Sequence, residues 1–124
     1  GDTLFVMGCG RLFEGSAEQL WHSLEKLKSL PGETRIYCTH EYTQANGRFA
    51  LSLEPENLQL QQKMYRVDQL RQKQLPTVPS TIEDELATNP FFRTDNISIM
   101  QKLALEGQPS VTVFSAIRKL KDNF

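Results

Sequence analysis

The sequence predicts an α/β architecture: a strand-helix-strand unit over residues 1–41, followed by a mainly α-helical segment over 42–124. Three observations carry this prediction. The apolar, β-rich run Thr3-Leu4-Phe5-Val6-Met7 stops at Gly8-Cys9-Gly10. Ala17, Leu20, Trp21, Leu24 and Leu27 then recur at helical spacing. After His40 the composition shifts to long polar, helix-favouring residues with no clear strand, which sets a domain boundary there.

Taken in order, the first run reads as a buried strand entering a tight glycine-rich loop. Ser16 with Gln19 three residues on is a capping-box pattern, and Pro31-Gly32 ends the helix it starts. Thr34-Arg35-Ile36-Tyr37-Cys38-Thr39 alternates and is rich in β-branched and aromatic types, predicting a second strand that runs up to His40. Strand, helix and strand at this spacing form a βαβ-like unit without its partner strands. Left uncovered, Leu4, Val6, Leu20 and Leu24 are expected to expose an apolar patch that drives association. Beyond His40 the pattern predicts helices over 42–53, 55–74, 82–87, 97–105 and 110–121. Pro55 stands where a first-turn proline is tolerated, and Ser80 with Glu83 is a second capping box. Leu75-Pro76-Thr77-Val78-Pro79 must be extended, because each proline disfavours helix in the residue before it.

With 124 residues the chain can bury roughly two-thirds of the surface its unfolded form exposes. A formal net charge of -1 gives no bulk electrostatic reason to expect nucleic acid or an anionic membrane as partner. An anionic ligand must then be held by locally clustered cations. Two cysteines, Cys9 and Cys38, are too few and too far apart for a disulfide framework or a zinc finger, and no apolar run approaches the roughly 20 residues of a membrane span. A soluble, cytoplasmic protein is the expectation. The chain opens on Gly1-Asp2 and a strand-like run rather than on a methionine, as a fragment, a processed chain or a separately expressed piece would.

Asp2 and His40 stand at the ends of the two predicted strands, where open α/β folds gather functional groups. A carboxylate and an imidazole are competent ligands for zinc, iron or manganese; a turn carboxylate and a hydrogen-bonded histidine are the alternatives, and spacing does not choose. His22, in a polar stretch of the first helix, reads as a surface residue. Neither cysteine has neighbours that would lower its pKa, so both read as inert thiols. Gly8-Cys9-Gly10-Arg11 lacks the Lys-Ser/Thr of a P-loop and the spacing of a dinucleotide fingerprint, leaving Arg11 as a candidate anion contact. Arg118 and Lys121 are three apart on the last predicted helix, where cations either complement the helix dipole or grip an anion.

Eight segments in register bear a family resemblance. They are Gly1-Asp2-Thr3-Leu4-Phe5, Gly8-Cys9-Gly10-Arg11, Phe13-Glu14-Gly15, Tyr37-Cys38-Thr39-His40-Glu41-Tyr42, Glu54-Pro55-Glu56-Asn57, Pro76-Thr77-Val78-Pro79-Ser80-Thr81, Asn89-Pro90-Phe91 with Arg93, and Arg118-Lys119-Leu120-Lys121-Asp122. Together they resemble the C-terminal portion of glyoxalase II, the hydroxyacylglutathione hydrolases of the metallo-β-lactamase superfamily. The resemblance implies that residues 1–41 are the last strand-helix-strand piece of a metallo-β-lactamase αββα sandwich and 42–124 a helical glutathione-binding domain. It implies a binuclear site of two divalent metals, zinc foremost with iron or manganese as alternatives. Asp2 would bridge both metals and His40 would be the last histidine ligand. The histidine-rich motif Thr-His-x-His-x-Asp-His and one further histidine would precede Gly1 in a complete protein.

The family's glutathione contacts fall on Arg11, Phe13, Tyr42, Arg118 and Lys121. Arg11 keeps the cation of its relatives, whereas Phe13 replaces a tyrosine and removes a hydroxyl hydrogen bond. The implied activity is metal-assisted hydrolysis of a glutathione thioester, with this chain inactive alone. The alternative readings are a non-catalytic glutathione- or protein-binding module derived from the family, and a different thioesterase or sulfur dioxygenase of the superfamily.

Overall fold

The computed structural model describes residues 3–10, 16–38 and 41–124. Helices dominate these residues: α1 (Ala17–Lys28), α2 (Thr43–Leu53), α3 (Leu58–Gln72), α4 (Ile82–Thr88), α5 (Ile97–Lys102) and α6 (Ser110–Asp122), with a 3₁₀ turn at Pro90–Phe92 between α4 and α5. The strands are two residues each. β1 (Leu4–Phe5) pairs antiparallel with β2 (Gly8–Cys9), and β3 (Arg35–Ile36) pairs antiparallel with β4 (Ser80–Thr81).

The βαβ-like expectation is therefore corrected among the described residues. The run at 3–7 does not continue as one strand but turns back at Val6 and Met7, so that Leu4 faces Cys9 and Phe5 faces Gly8. Met7 makes the turn with a positive φ of 58°, a conformation that costs a non-glycine residue about 1–2 kcal/mol and needs support from its surroundings. β3 finds its partner in Ser80 rather than in β1. A short strand cannot satisfy its backbone alone, and the extended run set up by the two prolines delivers Ser80 and Thr81 beside it.

Helix starts follow the side chains that cap them. The Ser16 hydroxyl accepts from the Gln19 amide while the Gln19 side chain accepts from the Ser16 amide, the reciprocal box read from sequence. α3 starts three residues later than predicted because Asn57, not Pro55, supplies a cap: its side chain accepts from the Leu60 N–H. At α4 the cap is Thr81, accepting from Asp84, and the Ser80–Glu83 box does not form. Ser80 is instead drawn inward, its hydroxyl donating to Glu85 Oε2 at 2.7 Å. α5 stops at Lys102, with Ala104 at φ 57° turning the chain away.

One apolar cluster joins Leu4, Cys9 and Leu24 to Phe49, Ile82, Phe91, Phe114 and Ile117, so the residues before 42 share a core with the helices that follow. A second gathers Val6, Met7, Ala50, Leu60, Met64 and Val67 between the hairpin turn and the α2/α3 pair. The apolar patch expected at Leu4, Val6, Leu20 and Leu24 is thus mostly covered. Leu4, Val6 and Leu24 are buried and Leu20 is half-buried. His22 is exposed, as expected.

α2 packs tightly on α3 at Gly47, where an added Cβ would overlap the Met64 sulfur and touch Met7. Gly47→Ala should consequently destabilise by about 1–3 kcal/mol through overpacking, against a gain of up to about 1 kcal/mol in helix propensity. Urea denaturation measures the balance. A gain in stability from Gly47→Ala would mean that Met64 moves aside freely.

Candidate functional site: a hairpin held by buried polar side chains

The β1–β2 hairpin lies between Asp2 and Arg11 in the chain, and its backbone is gripped by side chains from the helices. Glu85 on α4 accepts from the Met7 N–H at 2.8 Å. Asn89, one turn on, directs its amide nitrogen to Gly8 O at 3.0 Å, Phe5 O at 3.4 Å and Glu85 Oε1 at 3.0 Å. Asn46 on α2 donates to Val6 O at 3.2 Å, so close to the backbone that a Cβ at Gly8 would overlap its amide. Gly8 is required there for approach rather than for phosphate binding. Arg118 on α6 donates from Nη1 to Cys9 O at 2.9 Å and Gly10 O at 3.2 Å. Gly10 N–H closes the hairpin on Thr3 O at 3.0 Å.

Glu85 is fully buried and Lys63 on α3 nearly so. Lys63 Nζ lies 2.6 Å from Glu85 Oε2, 3.0 Å from Ser80 Oγ and 3.1 Å from Asp84 Oδ2. Both carboxylate oxygens of Glu85 are therefore used, Oε2 by the ammonium and Ser80, Oε1 by Met7 and Asn89. A buried charge is tolerable only with this degree of pairing. A third link is Glu54 with Arg93, two parallel hydrogen bonds at 2.7 and 2.8 Å, while Arg93 also donates to Leu86 O at 3.2 Å.

The segment after residue 40 has its own anchor. Glu41 accepts from the Thr77 N–H at 2.8 Å, and its Oε2 lies 2.7 Å from the Thr77 hydroxyl, which in turn meets the Thr43 hydroxyl at 2.6 Å. Burial pulls the Glu41 pKa upward, but the hydrogen bonds from Thr77 and Thr43 and the charge of Arg71 outweigh it and hold the carboxyl below its ordinary value.

Of the residues singled out in sequence, Asp2, Arg11, Phe13 and His40 lie outside the described residues. Tyr42 and Arg118 both come to the hairpin. The half-exposed Tyr42 ring meets Phe5 edge-on, centroids 5.2 Å apart. Arg118 is only 3 % exposed: besides its two carbonyls it pairs with Asp122 at 2.8 Å and covers the Phe91 ring at 5.2 Å. Lys121, on the next turn of α6, is half-buried. Burial pushes the Cys9 thiol up to about 12, more than the neighbouring Arg118 lowers it, and raises Cys38 as well. Both are poor nucleophiles, as the sequence suggests. No group of three or more His, Cys, Asp or Glu side chains among the described residues could hold a metal ion.

Lys63, Glu85, Asn89 and Asn46 do not stand out as site residues in the sequence. A signal exists for the first two: Lys63 falls on the stripe of Leu60, Met64 and Val67, and Glu85 on that of Ile82 and Asn89. A charge on an otherwise core-facing stripe marks a buried pair. Asn89 belongs to the Asn89-Pro90-Phe91 motif, and its role is now visible: it caps the 3₁₀ turn through the Phe91 N–H while its amide nitrogen holds the hairpin.

The family model described as Hydroxyacylglutathione hydrolase C-terminus matches residues 41–124. The chain belongs to this family. Three curated relatives named hydroxyacylglutathione hydrolase align with all 124 residues: that of Methylococcus capsulatus (strain Bath) at 56 % identity, that of Maricaulis maris at 53 % and that of Brucella ovis at 52 %. In each the match covers 48 % of the relative's own length, so the chain spans about half of the relatives it matches. Membership of the hydroxyacylglutathione hydrolase C-terminus family agrees with the resemblance read from the eight motifs. It also gives a context to the hairpin, whose flanking positions carry the resemblance's metal and glutathione assignments.

Proposed function

We propose that this chain is the C-terminal portion of a metal-dependent thioesterase that hydrolyses S-(2-hydroxyacyl)glutathione, such as lactoylglutathione, to glutathione and a 2-hydroxy acid. The observation that carries the reading is the held hairpin. In a chain whose relatives are named for this reaction, the backbone that directly follows Asp2 and directly precedes Arg11 is fixed by buried side chains. Metal ligands and substrate contacts need such support, because loose outer-shell hydrogen bonding weakens both.

Asp2 and His40 would hold two divalent metals, zinc foremost, with ligands from an N-terminal segment. By donor chemistry a carboxylate and an imidazole fit that role, and two ligands are fewer than one zinc takes. When bound, the metals supply Lewis acidity toward the thioester carbonyl and a low-pKa water. The chain's own residues bind and orient. Arg11 and Lys121 offer cations to the glutathione carboxylates, Tyr42 and Phe13 offer rings to its body, and Arg118 supports the hairpin end from which Arg11 departs. The αββα sandwich completed by 1–41, and a glutathione-binding domain over 42–124, belong to the same proposal. Two free thiols suit a reducing, cytoplasmic setting.

The isolated chain is expected to show no lactoylglutathione hydrolysis and no stoichiometric pair of metals after dialysis, whereas the full-length protein shows both. Metal analysis and a thioester assay on the two proteins decide it. Turnover by the isolated chain would overturn the division of the site, and a full-length protein without turnover would overturn the function.

A further inference from the structure

We propose that the Lys63–Glu85–Asn89 cluster is a positioning device that sets the aim of the β1–β2 hairpin, and through it the reach of the Asp2 carboxylate toward the metals. This inference rests on the function proposed above. Its grounds are geometric. Asn89 follows the end of α4 four residues after Glu85, and both side chains reach the hairpin backbone. Between them they hold Phe5 O, Met7 N–H and Gly8 O, which is both sides of the turn. Met7 adopts its left-handed conformation where its N–H meets Glu85, so the same contact fixes the turn and its direction.

The hairpin transmits this hold because it is short and closed. From Val6 to Thr3 the chain runs about 10 Å at about 3.3 Å per residue, so a tilt of about 5° at the turn moves the far end by about 1 Å. Displacements of that size at a reacting site are enough to cost about 10²-fold. Lys63 completes the device. With its ammonium on Oε2, Oε1 remains available to the Met7 N–H and the Asn89 amide. The three residues act through the backbone, as positioning residues for the Asp2 carboxylate rather than as partners of substrate.

The test uses the full-length protein with Cys38 and any cysteine outside this chain changed to Ser, so that Cys9 in β2 reports hairpin opening by its rate of thiol labelling. Metal affinity is measured by competition with a chromophoric chelator. Lys63→Met with Glu85→Met replaces the ion pair by apolar groups of similar size, which keeps the core filled and takes the acceptor away from the Met7 N–H. With an unchanged melting temperature, Cys9 labelling should rise at least about tenfold and metal affinity should fall about 10–100-fold, the usual effect of losing an outer-shell partner. Glu85→Asp is the second variant, for the case that the double one does not fold. It keeps the charge beside Lys63 but withdraws it from the Met7 N–H, and should move both readouts in the same direction. Cys9 labelling or metal affinity at the wild-type value in a folded variant overturns the proposal, since a purely structural pair would change neither. Metal-free wild-type protein would overturn the proposed function first, and is read before any variant is made.

Discussion

Changing Lys63 alone to Met is expected to lower stability by about 3–5 kcal/mol. The side chain fits the space, so the cost is electrostatic. Glu85 is fully buried and would keep its contacts to Met7, Asn89 and Ser80 while losing the only cation among its described partners. Removing one member of a buried pair leaves the other charge without compensation, which costs far more than the pair contributes when intact. The fall should appear in urea denaturation as a lower midpoint with an unchanged slope. Lys73→Met, at the exposed end of the same helix, should leave the midpoint where it is. A loss below about 1 kcal/mol for Lys63→Met would mean that Glu85 is well satisfied by its neutral donors, and the double variant at Lys63 and Glu85 would then have no stability to restore.

Helix positions are largely legible in the sequence because they follow from local chemistry. Ser16 and Gln19 announce α1, and the stripe of Ala17, Leu20, Leu24 and Leu27 packs on the core as its spacing requires. Where two local signals compete, the side chain with more to gain elsewhere loses its local role. Ser80 has the pattern of a cap, but Lys63 and Glu85 offer it a buried pairing, and Thr81 caps α4 instead. Strand pairing is not legible, since β1 meets β2 and β3 meets β4 through contacts that alternation cannot specify. The family comes through in the order of the motifs. The support of the hairpin does not, because a hydrogen bond from Asn89 back to Gly8 spans 81 residues and leaves no local pattern.

Arg118 and Lys121 form one cationic pair in the sequence, and their surroundings separate what each substitution should do. Arg118→Ala removes a nearly buried guanidinium and strips donors from Cys9 O and Gly10 O. Unpaired buried acceptors cost about 1–3 kcal/mol each, and the stacking over Phe91 adds to this, so a loss of about 2–5 kcal/mol is expected. Arg118→Lys should recover only part of it, because one ammonium cannot reproduce the fork between the two carbonyls and Asp122. Lys121→Ala should cost less than Arg118→Ala, because the Lys121 side chain is half-buried where that of Arg118 is almost wholly enclosed. In the full-length protein the order should reverse for binding. A cation gripping a carboxylate remote from the thioester acts about equally on ground and transition states, so Lys121→Ala should raise KM with kcat near its original value. One charge-assisted hydrogen bond of about 1.5–3 kcal/mol corresponds to about one to two powers of ten in kcat/KM. Steady-state kinetics with a glutathione thioester, beside urea denaturation of the same variants, separates the two roles. An unchanged KM for Lys121→Ala in folded protein would remove that residue from the substrate site, and a stable Arg118→Ala would show that the hairpin does not depend on the guanidinium.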